Sequence, residues 1–486
     1  MSVLHRLQSL LPGNRAAATL DLARSAPPPS PLAPVDLTNA AQVSAVMDVA
    51  ARIGDILLSS GTSNRDTKTQ IHAVTSVYGL HYCHVDITLN TITIYTSIGT
   101  TEKTPVSVFR VVRKLSTDFS KLIQVDRLIR NIQAGTTPPD EADRVLDELF
   151  STRGSYGFPV SMTAWGILGG AISILIGGSW FAALLACLLT MFVTGFNAIT
   201  RRRSLPVFFQ YYFGGLFVTA PTAVLYDLVG SNNYLFIPSH VIAPVIVVLL
   251  AGLPMVQSIQ DGITGAPVTA AARFFETFLL SCAVIGGVGT GLSAADFFGI
   301  TLPALEPTAA ALTSFSIRGI IAGAIAAGAY VVACYAELST VLVATATGAI
   351  GTLTYYLMLM GANIGPVIAT ASAATLVGIV GGLLARRFGI PPLITALAGI
   401  TPMLPGLYMY RAMYASLNEQ MLVGITNFAV ALSVCCSLAA GVVLGEWIAY
   451  RLRRPPTLNF YASFRKGFRT SFRQAQAANY QANDAQ

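Results

Sequence analysis

Apolar residues occur along most of the chain in runs of about 20, separated by short polar or charged stretches. A run of this length crosses the hydrocarbon core of a bilayer, which is about 30 Å thick, as a single helix. From residue 157 onward this pattern predicts ten spans. They lie near 159–177, 180–199, 206–229, 235–257, 267–292, 316–336, 338–360, 363–385, 390–411 and 421–449. We therefore predict a polytopic membrane protein whose transmembrane part is all-helical.

The chain before the first span has a different pattern, that of a soluble α+β domain. Apolar residues at helical spacing predict two helices, and period-two alternation then predicts a hairpin and a third strand. Two charged helices complete the domain. These elements lie at 46–61, 65–79, 81–89, 91–98, 104–112, 115–133 and 139–151. We assign residues 36–152 to a cytoplasmic α+β domain, which follows an N-terminal segment and proline-rich linker at residues 1–35.

Lysine and arginine between the spans predict the orientation, because short cytoplasmic loops carry an excess of both. Basic residues follow the second span at 201–203, the eighth at Arg386 and Arg387, and the last span in a tail at residues 450–486. An even number of spans places all of them on the side of the N-terminal domain, so both termini are predicted to be cytoplasmic. In the tail, a phenylalanine every four residues with arginines beside it predicts a helix on an anionic lipid surface. A disordered basic tail is the alternative.

The two halves of the transmembrane part resemble each other. The fourth span contains "VIVVLLAGLPMVQSI" and the ninth "ITPMLPGLYMYRAM", with Gly252 opposite Gly406. We therefore predict two repeats of five spans, at residues 157–292 and 316–449. Because five is an odd number, the second repeat must be inverted in the membrane, which is a common plan of secondary transporters.

Proline and glycine in the fourth and ninth spans predict broken helices. Pro254 follows Gly252, and Pro405 precedes Gly406. Proline removes a backbone donor, and the freed polar groups are tolerated at membrane depth only beside protein or a water-filled cavity. Corresponding breaks in two repeats indicate the substrate-binding site. The alternative is that the breaks are packing kinks.

Three charges lie beside the fourth and fifth spans. Asp261 is predicted in a loop at the cytoplasmic face, because Gly262 and Gly265 disfavour a continuing helix; a helix cap is its alternative role. Arg273 and Glu276 lie inside the fifth span, at an i,i+3 spacing that allows an ion pair. A charge near the bilayer centre costs at least about 2.5–3.5 kcal/mol, so we expect Arg273 and Glu276 to line the transport path and Glu276 to carry protons. Asp261, at the mouth of that path, is a further candidate. A structural pair that fixes helix packing is the alternative.

Composition agrees with a membrane protein and narrows the chemistry. Apolar residues make up 53% of the 486 residues and charged residues 11%, against about 25% charged residues in soluble domains. The net charge of +7 comes from basic residues at the ends of spans, so no nucleic-acid partner is expected. The six cysteines indicate reduced thiols rather than disulfides. On a strand His84 and Asp86 face away from His81 and Cys83, so we expect neither a metal nor a cofactor.

Four stretches make the chain similar to the bacterial threonine/serine exporter family over essentially its whole length. They read "GDILLSSGTSNRDTK", "YGLHYCHVDITLNTITI", "LLAGLPMVQSIQDGITGAPVTAAARFFET" and "LLARRFGIPPLITALAGITPMLPGL". The resemblance implies a multi-pass protein of the bacterial cytoplasmic membrane that exports L-threonine and L-serine, driven by the proton-motive force. Many members have the pattern P-G-L in the first repeat. Here Ala251, Gly252 and Leu253 stand in its place, with the proline displaced to Pro254.

A small zwitterionic substrate needs partners for its carboxylate, ammonium and hydroxyl groups. Arg273 or exposed helix N–H groups suit the carboxylate, and Glu276 or Asp261 suits the ammonium. Three polar side chains are candidates for the hydroxyl, namely Thr264, Asn197 and Asn427.

Two other functions are open at this point. A channel or facilitator would conduct small solutes without coupling to protons. A membrane-anchored hydrolase or sensor would act through the N-terminal domain, although the chain has no G-x-S-x-G motif. We favour a transporter over an enzyme, and the sequence leaves open whether copies of the chain form a homo-oligomer.

Overall fold

The computed structural model describes residues 39–98, 104–112, 118–151, 156–229, 237–249, 252–300, 317–362 and 364–452. The predicted N-terminal segment and the tail beyond residue 452 lie outside the described residues. Most described residues are helical, and the strands fall in the segment that was predicted to be mixed.

The described residues between 39 and 151, here called the N-terminal unit, combine four helices with three strands. The elements are α1 (Ala40–Ser59), α2 (Asn64–Val77), β1 (His84–Thr88), β2 (Thr91–Ile98), β3 (Thr104–Val111), α3 (Phe119–Gln133) and α4 (Pro139–Ser151). The strands form one antiparallel sheet in the order β1-β2-β3. The predicted hairpin is confirmed, with Thr88 paired to Thr91, and so is the third strand.

Alternation along β2 determines which face of the sheet is buried. Ile92 and Ile94 are fully buried on the face that packs against α1, whereas Tyr95, the next residue after Ile94, points to the other face and is exposed. Helix α1 also contacts α2, α3 and α4, so its apolar residues form the centre of the N-terminal unit. Arg52 on α1 bonds Asp147 on α4 at 2.5 Å, which ties the last helix of the unit to the first.

The rest of the described chain is helical, and the helices follow the predicted spans in order. They are α5 (Phe158–Leu175), α6 (Trp180–Arg202), α7 (Val207–Val229), α8 (Ser239–Leu249), α9 (Gly252–Ile263), α10 (Pro267–Phe297), α11 (Ile317–Ala333), α12 (Leu338–Tyr356), α13 (Pro366–Phe388), α14 (Pro392–Ile400), α15 (Gly406–Leu417) and α16 (Met421–Leu452). A π-helical turn, Leu357–Gly361, extends α12, and a 3-10 turn, Thr401–Met403, follows α14.

Seven of the described helices are long and apolar enough to cross a membrane, or nine if each of two bent helix pairs counts as one span. The bent pairs are α8 with α9, at 47°, and α14 with α15, at 46°. Both bends coincide with the predicted breaks. The predicted sixth span corresponds to α11, which is apolar but has 17 residues. The chain is therefore a multi-pass membrane protein.

Glycines allow the closest helix crossings, and they recur in equivalent helix pairs. Where α7 crosses α10, a Cβ on Gly287 would lie 1.9 Å from the carbonyl oxygen of Tyr212. Where α13 crosses α16, a Cβ on Gly445 would lie 2.3 Å from the carbonyl oxygen of Thr375. The backbones are thus in direct contact at both crossings, which is the close approach that small residues permit between membrane helices.

The first helices of the two halves, α5 and α11, pack against each other in antiparallel orientation. Ser161, near the start of α5, donates its hydroxyl hydrogen to the carbonyl oxygen of Ala333, the last residue of α11, at 2.6 Å. This hydrogen bond ties the N-terminal end of one helix to the C-terminal end of the other.

The N-terminal unit contacts the connections between helices of the second half. Arg127 on α3 pairs with Glu337, just before α12, at 2.7 Å. Arg130, one turn later, donates to the carbonyl oxygen of Gly389, between α13 and α14, at 2.7 Å. Helix α3 therefore holds the ends of α12 and α14 on the same side of the helical part.

Candidate functional site

The two helix breaks meet inside the helical part. Val247 lies close to the end of α8, and Gly406 is the first residue of α15. A Cβ built on Gly406 would lie 1.7 Å from Cγ2 of Val247. Glycine is required at position 406 by this close approach. The broken fourth helices of the two halves are therefore in direct contact.

A cavity of about 60 Å³, here called the break cavity, lies beside this contact. Pro405 lines it, together with apolar residues of α5, α8 and α16. Its polar side chains all carry hydroxyl groups and are Tyr355, Thr370, Thr401 and Tyr408. The break cavity therefore offers hydroxyl groups, beside a break in the backbone, to a small polar solute.

A larger cavity of about 100 Å³, here called the interface cavity, lies between the N-terminal unit and helices α9, α10, α14 and α16. Residues of α1, α2 and α3 form the side that belongs to the N-terminal unit. Its charged residues are Asp66, Asp126, Asp261, Arg273 and Glu446. Four carboxylates, two from the N-terminal unit and two from the helical part, thus line the cavity together with one arginine.

About one helical turn, from the end of α14 into the 3-10 turn that follows it, separates the two cavities. Leu397 lines the interface cavity and Thr401 lines the break cavity. The hydroxyl of Thr401 donates to the carbonyl oxygen of Leu397 at 2.8 Å. On α16, Val442 lines the first cavity and Val434 the second, which are about 12 Å apart at 1.5 Å per helical residue. The cavities therefore follow one another along the broken helix.

Asp261 and Arg273 form a buried ion pair in the wall of the interface cavity. Oδ2 of Asp261 accepts a hydrogen bond from Nη1 of Arg273 at 2.8 Å. Asp261 is 1% exposed and Arg273 is 7% exposed. Removing one member of such a pair is costly because the other charge then stays buried without a partner. The turn at Gly265, whose φ is +98°, brings α9 and α10 together and so aligns the two side chains.

The N-terminal unit reaches this ion pair through α2. The backbone N–H of Asn64, the first residue of α2, donates to Oδ1 of Asp261 at 3.4 Å. The side-chain amide of Asn64 donates to Oγ1 of Thr269 at 2.8 Å, and the N–H of Leu89 donates to the same oxygen at 3.2 Å. Because the N-terminus of a helix carries partial positive charge, α2 faces the carboxylate with favourable sign.

The guanidinium of Arg273 has one nitrogen in an ion pair and two nitrogens without a partner among the described residues. Nη1 bonds Asp261, whereas Nε and Nη2 are buried and have no hydrogen-bond partner among the described residues. The Nε–H and an Nη2–H bond are parallel, and together they form a fork that matches the two oxygens of a carboxylate. Arg273, which lines the interface cavity, therefore has a carboxylate-binding edge without a partner among the described residues.

The predicted pairing of Arg273 with Glu276 is wrong. Arg273 faces α9 and pairs with Asp261, whereas Glu276, although only three residues later, is exposed. The predicted loop around Asp261 is also wrong. Helix α9 continues through Gly262 to Ile263, so Asp261 lies in the last turn of a helix.

Four other predicted residues fall at or near the cavities and breaks. Thr264 lines the interface cavity, and Pro405 lines the break cavity. Gly252 begins α9, at the first break. Pro254 lies in the first turn of α9 and is exposed, a position where proline needs no hydrogen-bond partner for its nitrogen.

The two predicted asparagines are not brought to either cavity. Asn197 and Asn427 are half-buried, and the side-chain amide of Asn427 bonds to its own helix. Sequence reasoning missed Asn64 and Thr269, which join the N-terminal unit to the ion pair. The signal for Asn64 was Ser63, a residue typical of the position just before a helix.

The N-terminal unit also contains a cysteine–histidine contact, in which Sγ of Cys83 lies 3.7 Å from Nδ1 of His72. Burial raises the pKa of the Cys83 thiol and lowers the pKa of His72. Both groups are therefore neutral near pH 7, unlike the thiolate and imidazolium of a cysteine nucleophile. Across the residues that the structure describes, no three His, Cys, Asp or Glu side chains are grouped so that they could hold a metal ion.

Comparisons with known proteins match most of the chain. Residues 48–295 match the family described as "Putative threonine/serine exporter", and residues 319–448 match the family described as "Threonine/Serine exporter, ThrE". A threonine/serine exporter of Corynebacterium glutamicum is 56% identical over 462 residues, which are 95% of this chain and 94% of that protein. A probable threonine/serine exporter of Mycobacterium tuberculosis is 34% identical over 420 residues, 84% of this chain and 77% of that protein. No solved structure matches the chain.

Proposed function

The chain belongs to the threonine/serine exporter family, and from this premise we propose that it exports L-threonine and L-serine from the cytoplasm, driven by the proton-motive force. It is a transporter rather than an enzyme. The observation that carries the proposal is that the two cavities follow one another along α14 and the break between α14 and α15. A solute that moves from the interface cavity to the break cavity passes one helical turn, between Leu397 and Thr401.

We propose alternating access between two inverted repeats, α5–α10 and α11–α16. Three features support this assignment: the fourth helix of each half is broken, equivalent helix pairs cross at glycines, and α5 runs antiparallel to α11. The contact of Val247 with Gly406 lies where the two repeats would move against each other. One state would open the interface cavity to the cytoplasm, and the other would open the break cavity to the outside.

We place the chain in the bacterial cytoplasmic membrane, with ten spans and both termini in the cytoplasm. The N-terminal unit contacts Asp261, Glu337 and Gly389, and a ten-span path brings all three to its side. A path in which α11 did not cross would put Asp261 and Glu337 on opposite sides of the membrane, where one compact unit could not reach both. The basic tail would then lie against the anionic lipids of the cytoplasmic leaflet.

We propose Asp261 as the carboxylate that carries the proton. Its charge holds two groups at once, the guanidinium of Arg273 and the N-terminus of α2. Protonation would weaken both contacts and so loosen the N-terminal unit from the helical part, which would open the interface cavity to the cytoplasm. Release of the proton there would restore the contacts. Glu276, the exposed carboxylate on α10, is the second candidate for this role.

Efflux of labelled L-threonine from proteoliposomes, with and without an imposed pH gradient, tests the proposal. An acidic exterior should accelerate efflux and drive it against a threonine gradient, and a protonophore should remove the effect. Asp261→Asn should lose the acceleration and keep threonine exchange. Efflux that ignores the gradient in the wild-type protein would contradict proton coupling and favour a channel or facilitator.

Deleting residues 1–152 tests whether the N-terminal unit works in transport. Because the unit shares the ion-pair contacts, its loss should impair transport. Transport that survives unchanged, while some other activity disappears, would favour a membrane-anchored hydrolase or sensor. The neutral Cys83 and His72 offer that alternative no activated nucleophile.

A further inference from the structure

We propose that the interface cavity is a loading site for α-amino acids, in which the partner-free Nε–Nη2 edge of Arg273 binds the substrate carboxylate and the N-terminal unit forms part of the binding wall. This inference rests on the proposed export function and adds where and how the substrate is first bound. It makes the N-terminal unit a component of the substrate site, because the cavity exists only where that unit lies against the helical part.

The geometry of Arg273 specifies the group that it binds. Its Nη1 is held by Asp261, which fixes the plane of the guanidinium and leaves the Nε–Nη2 edge directed away from that partner. This edge donates two parallel hydrogen bonds, a pattern that suits a planar carboxylate and not a hydroxyl group or a neutral amide. A buried donor without a partner is unfavourable, and an arriving carboxylate would satisfy two such donors at once.

The rest of the cavity fits the other end of an amino acid. The carboxylates of Asp66, from the N-terminal unit, and Glu446, from α16, line the same space. An ammonium group placed there would face negative charge while the substrate carboxylate faces Arg273. A volume of about 100 Å³ has room for several water molecules, which a bound amino acid would displace.

Equilibrium binding of labelled L-threonine to the purified full-length protein in detergent tests the carboxylate contact. Unlabelled L-threonine should compete, whereas L-threoninamide, which lacks the carboxylate, should compete poorly. Arg273→Lys keeps the charge but loses the planar fork, so it should weaken binding by about 10- to 100-fold. Arg65→Lys, on the exposed surface of α2, is the matched control and should bind as the wild type does.

A second pair of variants tests the contribution of the N-terminal unit. Thr62 lines the interface cavity, and Thr62→Trp should fill it and weaken threonine binding by a similar factor. Thr69→Trp, on α2 and outside the cavity lining, introduces the same side chain as a control. Each variant is compared as a monodisperse protein on gel filtration, and the amide competition needs no variant at all.

The possible results separate this inference from the proposed function. Equal competition by L-threonine and L-threoninamide, in a wild-type protein that exports threonine, would overturn the loading site and leave export standing. Wild-type affinity in both Arg273→Lys and Thr62→Trp would do the same. Carboxylate-dependent binding in a protein that moves no threonine across liposomes would support the site and refute export.

Discussion

The contact between the two helix breaks predicts that Gly406→Ala blocks transport. The new methyl carbon would lie 1.7 Å from Cγ2 and 3.0 Å from Cβ of Val247. Carbon atoms in contact are about 3.5–4.0 Å apart, so the ends of α8 and α15 would have to separate by about 2 Å. A change of the Val247 rotamer gives little relief, because β-branched side chains in helices have one strongly preferred rotamer and Cβ itself is already too near.

Overpacking of this kind costs about 1–3 kcal/mol, and the depth of the overlap places Gly406→Ala at the upper end. Adding Val247→Ala removes both γ carbons and leaves the Cβ at 3.0 Å, which a shift of a few tenths of an ångström relieves. The double variant should therefore recover most of the thermal stability and threonine efflux that the single variant loses.

Threonine efflux from proteoliposomes and the unfolding temperature in detergent measure both effects. Gly365→Ala is the matched control, because a Cβ at that position meets no atom within 4 Å. Wild-type efflux in Gly406→Ala, or a double variant no better than the single one, would refute the contact between the breaks. Rescue of stability without rescue of efflux would show that the contact must also open during transport.

Three further predictions concern the ion pair and the helix crossings. Asp261→Asn should destabilise the protein by about 3–5 kcal/mol, since Arg273 then stays buried without a counter-charge. Adding Arg273→Gln should recover much of this loss, measured as the unfolding temperature. Strictly additive effects of the two substitutions would contradict the ion pair. An acidic exterior should still accelerate efflux in Glu276→Gln but not in Asp261→Asn. The opposite ranking in the same assay would assign the proton-carrying role to Glu276. Gly287→Ala should abolish the yield of monodisperse protein, because its Cβ would lie 1.9 Å from the backbone oxygen of Tyr212, which no rotamer change moves; a normal yield would refute that crossing.

Features that depend on neighbouring residues could be predicted from the sequence. Runs of apolar residues located the helices, alternation located the three strands, and proline with glycine located both bends. The sixth span shows the limit of this reasoning. Its described helix, α11, is shorter than a typical span. The proposed crossing is supported instead by contacts of the N-terminal unit with residues before and after α11.

The ion pair could not be predicted because its members meet through tertiary structure. Spacing along one helix pointed from Arg273 to Glu276, yet the two project in different directions from the contact with α9. The partner that forms the bond, Asp261, is 12 residues away across a turn, and Asn64 is 197 residues from Asp261. No local pattern reports contacts of that range.

Asp261 shows why a correct local rule gave a wrong local structure. Two glycines follow it within four residues, and glycine weakens helices. Gly262 nevertheless stays helical, because packing of α9 against α10 outweighs a propensity of about 1 kcal/mol. Only Gly265, whose φ is +98°, ends the segment and turns it toward α10. A helix that ended before Asp261 would not hold this carboxylate in the wall that faces α10. The buried pair, the docking of α2 and the partner-free edge of Arg273 therefore all depend on where that turn falls.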